Sequence, residues 1–226
     1  MADPNQILDL LRSFPFLADQ PEPLLQTLAV QGQLLRFNLG QPISRLDQAP
    51  PQVFFLLQGT VRSVVMAQRF AKGVATLQLL QTGAVMGWSL LSCGKNYEIL
   101  LASSDLVVLA LPNGALREAM AAHKPLADRV QGSVAPAELF AVLDAHLLNY
   151  PRVLTREVLE AAVQLVDSTR TIAMTPDQIM ATEYPADRLW ITSTGSMPLG
   201  SVLPPAQRPQ GDGAIRVLGI DRAGLA

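Results

Sequence analysis

At 226 residues the chain has room for one ordinary core, or for one core and a small second unit. Apolar types make up 49% of it against 5% aromatic and 16% charged, which excludes a disordered chain and implies a core built from Leu, Val and Ala. The net charge of -2 supplies no overall field that gathers polyanions, and a single cysteine, Cys93, excludes an internal disulfide and a thiolate-cluster metal site, as suits a reducing cytoplasm.

The opening residues, Met1 to Asn5, lack the basic and apolar regions of an export signal. Asp3 caps a predicted first helix with Pro4 in its first turn, and Ile7, Leu8, Leu10, Leu11 and Phe14 fall on one face before Pro15 ends it. A second short helix begins near Pro21 or Pro23 and turns Leu24, Leu25 and Leu28 inward. Strand-length apolar runs follow at 34–37, 42–43, 53–57, 61–65, 74–80 and 105–111. Gly40, Gly59, Gly73, Gly83 and Gly87 separate them, at places where a left-handed turn or a close backbone approach is easiest for glycine. Many short strands with frequent turns predict a small barrel or roll. The uncharged run between Lys72 and Lys95 is broken by Gly, Gln, Thr and Ser, so no transmembrane helix is expected.

Past Pro112 helical spacing returns in segments interrupted at Pro125 and Gly132. Residues 137–148 form a stronger helix with Leu139, Phe140, Leu143, Leu147 and Leu148 inward, and Pro151 closes that unit. A helix capped by Thr155 is predicted to run to Ser168, and Thr175-Pro176-Asp177 starts a short one through Met180. Residues 189–192 and 215–218 read as two strands joined by a long Gly-, Pro- and Ser-rich loop, 193–213. That loop is either a mobile excursion, or its flanking strands pair with something outside the chain.

The pattern of residues 10–150 resembles the cyclic nucleotide-binding domain family. The pieces that carry the resemblance are Leu10-Leu11-Arg12-Ser13-Phe14-Pro15-Phe16-Leu17, the stretch Leu35 to Ile43 with its glycine turn, the strand-glycine-strand Val53 to Arg62, and Gly83 to Leu91 at the place of the phosphate-binding cassette. The resemblance implies an α+β fold: a jelly-roll-like β-roll with flanking helices over 1–150, followed by a small helical and two-stranded segment over 151–226.

In that family a glutamate directly after the second cassette glycine holds the ribose hydroxyl, and a later arginine pairs with the cyclic phosphate. Here Trp88 follows Gly87, and counting back from Ala102 puts Asn96, with Tyr97 and Glu98 beside it, at the arginine's place. A charge-assisted hydrogen bond is worth about 1.5–3 kcal/mol, so loss of both anchors costs roughly two to four decades in affinity. The candidate pocket is therefore a degenerate one, made of Gly87, Trp88, Ser89, Leu90, Asn96 and Tyr97, with Trp88 filling space the ligand leaves. Main-chain N–H groups of a short helix near Trp88 would still attract an anion, without selecting a nucleotide.

Other chemistry is disfavoured. Cys93 beside Lys95 reads as an inert small apolar residue rather than a redox thiolate, His123 and His146 both lie on helical segments outside the roll and supply no metal site, and Ser103-Ser104-Asp105 reads as a turn. Glu157 and Glu160 read as a solvated helix face. The regulators that share this roll add a basic DNA-reading helix, whereas no lysine follows Lys124 and the later arginines are scattered among acids. Asp187 to Ser193 and Ala214 to Asp221 resemble the region after a degenerate β-roll in bacterial peptidase-containing ABC exporters of type I secretion. The sequence thus predicts a cytoplasmic, non-catalytic regulatory or protein-interaction module with no cofactor. A protein partner is expected, a secretion ABC transporter being one candidate. A genuine cyclic nucleotide or small-ligand sensor is the alternative, and a transcription regulator the third reading.

Overall fold

The computed structural model describes residues 3–46, 50–67, 73–150 and 155–225. The chain divides into two compact units: residues 1–63, 78–91 and 98–130 make the first, and residues 64–77, 92–97 and 131–226 the second. The boundary expected at residue 150 lies within the second unit, and Pro151, expected to close a unit, lies outside the described residues.

The first unit opens with α1 (Pro4–Ser13), where the Asp3 side chain accepts the Asn5 N–H at 3.0 Å and a proline sits in the first turn, as the sequence predicts. α2 (Glu22–Gln31) likewise starts on a proline pair. Eight strands follow: β1 (Gln33–Phe37), β2 (Pro42–Ser44), β3 (Gln52–Gln58), β4 (Val61–Ala67), β5 (Gly73–Leu80), β6 (Val85–Met86), β7 (Ile99–Ala102) and β8 (Leu106–Pro112). They form two four-stranded sheets, ordered β1-β8-β3-β6 and β2-β7-β4-β5, and together a roll. β4 begins in the first unit and β5 ends there, while residues 64–67 of β4 and 73–77 of β5 are counted with the second. Helices α4 (Asn113–Ala122) and α5 (Lys124–Gly132) come next.

Strand alternation explains how β3 and β8 serve two cores at once. Val53 and Phe55 on β3, with Leu109 and Leu111 on β8, pack with Ile7, Leu11, Leu25, Leu28, Leu116 and Leu126 of the helices. Their neighbours Phe54, Leu56, Val108 and Ala110 face the other way, into the roll, with Val61, Met86 and Leu100. Phe55 also meets Phe14 edge to face, with ring centroids 4.9 Å apart. Gly59 turns β3 into β4 at φ +97°, and a Cβ there would stand 2.5 Å from the Asp105 carbonyl oxygen. Gly73, expected in a turn, instead opens β5.

The second unit holds α6 (Pro136–His146), α7 (Thr155–Gln164) and α8 (Pro176–Ala181), and a sheet of β9 (Arg170–Met174), β10 (Arg188–Thr194) and β11 (Ile215–Asp221) ordered β10-β11-β9. Helix α7 starts at Thr155 and stops four residues short of the predicted Ser168, where a 3-10 turn, Val166–Ser168, takes over. Thr175 and Gln178 close a reciprocal capping box on α8. Strand β9 is absent from the sequence reading. β10 and β11 pair antiparallel with each other, so the two predicted strands find a partner within the chain. Part of the loop between them folds back onto β10: Thr192 N–H donates to the Ser201 carbonyl, Leu203 N–H to that of Trp190, and Leu203 is buried. Among the described residues no helix is long and apolar enough to cross a membrane.

Candidate functional site

Gly87 is one of the glycines expected between strands, and it does take a left-handed conformation. Gly87 follows β6 with φ +77°, and a Cβ at this position would sit 3.1 Å from the Gln52 carbonyl oxygen, so an alanine there is strained and crowded. A four-residue helix, α3 (Ser89–Ser92), follows at once, close to the short helix expected near Trp88.

Trp88 is half-buried and packs, with Leu91, against the helix-side core of the first unit. Ser89 is buried and Leu90 half-buried. Asn96 and Tyr97 are buried too, but they belong to the second unit, so the six candidate residues divide four and two between the units.

The residue that the fold brings to Gly87 is Glu98, which the sequence reading names only as a neighbour of Asn96. Its carboxyl accepts the Gly87 N–H and, at 3.0 Å, the hydroxyl of Ser63 on β4. The Ser44 hydroxyl donates to the Glu98 carbonyl at 3.3 Å. Burial drives the carboxyl pKa above its ordinary value, because a low-dielectric site disfavours the charged form; the two donors oppose that shift and are outweighed. No motif announces this cluster. The one sequence-level signal is an acid placed directly before the apolar strand Ile99–Ala102.

The second unit contains a buried ion pair that sequence reasoning also passed over. Arg216 lies within β11, whose residues from Ile215 to Ile220 are all buried. Its Nε donates to Glu138 Oε1 at 2.7 Å and Nη2 to Glu138 Oε2 at 3.2 Å. The remaining N–H groups reach the carbonyls of Gln131 at 2.6 Å, Ser133 at 2.6 Å and Ser92 at 3.4 Å, so the whole guanidinium fork is engaged. Ser193 donates to Glu138 Oε1 at 2.6 Å, and Tyr97 Oη donates to the Ser193 carbonyl at 3.1 Å. With its donors taken up, Arg216 is a fixed strut rather than an anion receptor.

Cys93 lies beside this pair. Burial first, and the Glu138 charge second, push its thiol up to about 11, and Sγ donates to the Lys95 carbonyl at 3.4 Å. That is the electrostatics of an inert thiol, not of a redox thiolate. The Lys95 ammonium stands 5.0 Å from the Tyr97 ring centroid, a cation-π contact. Burial likewise raises the Tyr97 phenol.

The other candidates find structural tasks. Ser104 Oγ accepts the Thr60 N–H at 3.0 Å and Asp105 Oδ1 the Leu39 N–H at 3.0 Å, so this turn ties loops together. Glu160 pairs with Arg156 at 2.8 Å on an exposed helix face. Among the described residues no group of three or more His, Cys, Asp or Glu is placed to hold a metal ion. The second unit also has a cavity of about 590 Å³ between α6 and α7, lined by Leu143, His146, Val158, Glu160, Leu189 and Leu225 among others.

No family model matches the sequence, and no curated protein matches it. Solved structures do. The regulatory subunit of a cAMP-independent protein kinase A from Trypanosoma cruzi, bound to guanosine, is similar with a TM-score of 0.50 and 15% identity over 55% of this chain and 43% of its own. The corresponding subunit from Trypanosoma brucei has a TM-score of 0.50 and 18% identity over 56% of this chain and 46% of its own. This chain therefore spans less than half the length of either. At such identities the likeness concerns the fold, which is that of a cyclic nucleotide-binding-like β-roll with flanking helices, in an α+β chain.

Proposed function

We propose that this chain is a non-catalytic regulatory or protein-interaction module of the cytoplasm, in which a cyclic nucleotide-binding-like roll has lost its usual ligand anchors and acts through protein contacts. The observation that carries the reading is the fate of the position after Gly87: an indole stands there and packs into the helix-side core, where an acid would face a sugar hydroxyl. The Gly87 N–H has an internal acceptor as well. Gly87, Trp88, Ser89 and Leu90 of the first unit remain the proposed contacts for any residual ligand.

The partner class to test first is a secretion ABC transporter. Its support is the resemblance of Asp187 to Ser193 and Ala214 to Asp221, segments that hold most of the paired strands β10 and β11. Co-purification of such a transporter with the tagged chain supports that partner.

A second reading, a small-ligand sensor, draws on the guanosine held by the Trypanosoma cruzi neighbour, a nucleoside that needs no phosphate-pairing arginine. One titration separates the two. Melting temperature is followed against cyclic AMP, cyclic GMP and guanosine; a specific ligand at 100 times its dissociation constant adds about 2.7 kcal/mol. A flat response to all three at millimolar concentration is expected. Micromolar binding of any of them overturns the first reading in favour of the second.

A further inference from the structure

An acid is seldom left out of water unless something holds it, since an unpaired polar group in a dry site is costly. Glu98 is held by two neutral donors, the Gly87 N–H and the Ser63 hydroxyl, while the Ser44 hydroxyl fixes its main-chain carbonyl. Ser63 is fully buried and Glu98 only 8% exposed, so this is a built contact and not a surface encounter. All four residues belong to the first unit. What they form is a small acceptor position at the β6–α3 turn, with a carboxyl already in it.

We propose that Glu98 is an internal occupant of that position, closing the β6–α3 turn to any outside molecule that would present a carboxylate or phosphate oxygen to the Gly87 N–H. The chain supplies from its own backbone neighbourhood the acceptor that a ligand would otherwise bring. This deepens the function proposed above and rests on its reading of the roll as a ligand cradle with altered anchors. Replacement of the usual anchors leaves main-chain donors that would still attract anions indiscriminately, and an internal acid removes that residual affinity.

The test uses the full chain, the variants Glu98→Ala and Glu98→Gln, and sodium acetate as the probe, with sodium chloride at equal ionic strength as the control. Truncation to alanine removes the carboxyl and leaves room for one small carboxylate, whereas glutamine keeps the position filled. The readouts are the Gly87 amide cross-peak and the melting temperature. In Glu98→Ala, acetate is expected to move the Gly87 amide saturably and to raise the melting temperature by about 2–4 °C. The wild type and Glu98→Gln are expected to show neither effect. A Glu98→Ala protein indifferent to acetate, or a wild type that responds equally, overturns the proposal.

Should Glu98→Ala fail to fold, the wild-type Gly87 amide supplies the answer. It is expected to follow the titration of the Glu98 carboxyl with pH and to be flat in Glu98→Gln; a flat wild type overturns the proposal. The outcome is separable from that of the proposed function. Wild-type binding of cyclic AMP that leaves the Gly87 amide unmoved sinks the function and not the occupancy. Loss of the acetate effect with a flat nucleotide titration does the reverse.

Discussion

Glu98 in the first unit and Glu138 in the second are both withdrawn from water, 8% and 0% exposed, and their surroundings deal with the acid in opposite ways. Glu138 faces the Arg216 guanidinium with both oxygens and takes a serine hydroxyl besides. Glu98 accepts a backbone N–H and a serine hydroxyl, both neutral donors. A full counter-charge makes a rigid strut whose parts depend on one another. Neutral donors make a position that a carboxyl occupies and that a similar group can take over. The same residue type is thus structural in one unit and, by the proposal above, a stand-in ligand in the other.

The comparison is broken most severely at Glu138. Glu138→Ala leaves Arg216 buried without its partner and is expected to cost about 3–5 kcal/mol in urea unfolding. Replacing the pair together, Glu138→Leu with Arg216→Met, is expected to recover most of that loss. A double variant as unstable as the single one would mean that the pair is not what matters. Next comes Gly87→Ala, expected to cost about 1–3 kcal/mol because the left-handed turn must be forced on a residue with a Cβ. Combined with Glu98→Gln the loss is expected to be less than additive, as befits groups in direct contact; strict additivity would separate the turn from the acid.

A pH series sharpens the contrast further. The folded-state pKa of Glu98 is raised, so its neutral form favours the folded protein: the stabilisation is complete below the ordinary carboxyl range and is lost as pH rises through the raised value. The wild type should therefore lose stability against Glu98→Gln as pH climbs through that window, by at most about 1.4 kcal/mol per pH unit, and parallel curves would contradict a buried titrating acid. The smallest effect is expected from Arg156→Ala. That residue pairs with Glu160 in the open, 85% exposed, and its loss should leave the melting temperature unchanged, showing that burial and not ion pairing as such gives Arg216 its weight.

Local signals in the sequence reached the elements that local chemistry builds. Asp3-Pro4 announced α1, Thr175-Pro176 announced α8, and the apolar runs between turn glycines marked most strands of the roll. Strand β9 escaped because it is a sheet edge: Arg170, Ile172 and Ala173 are all exposed, and the alternation that marks a half-buried strand is missing. The two glutamates escaped for another reason. Ser63 lies 35 positions from Glu98, and Glu138 lies 78 from Arg216, separations at which periodicity carries no information. An arginine inside the run Ile215 to Ile220 was nonetheless a legible demand for a partner, since a charge is rarely buried alone. The turn at Gly87 was legible and so was Trp88 as packing; the acid that meets Gly87 was not, because it arrives from the strand on the far side of the 92–97 segment.

The second unit is stitched from three separate lengths of chain. Val65, Ala67 and Leu77 come from the first length and Tyr97 from the second, and they share one core with Phe140, Leu143, Val158 and Leu218 of the third. Scissors applied at residue 131 would therefore release a tail stripped of part of its own interior, prone to clump rather than fold.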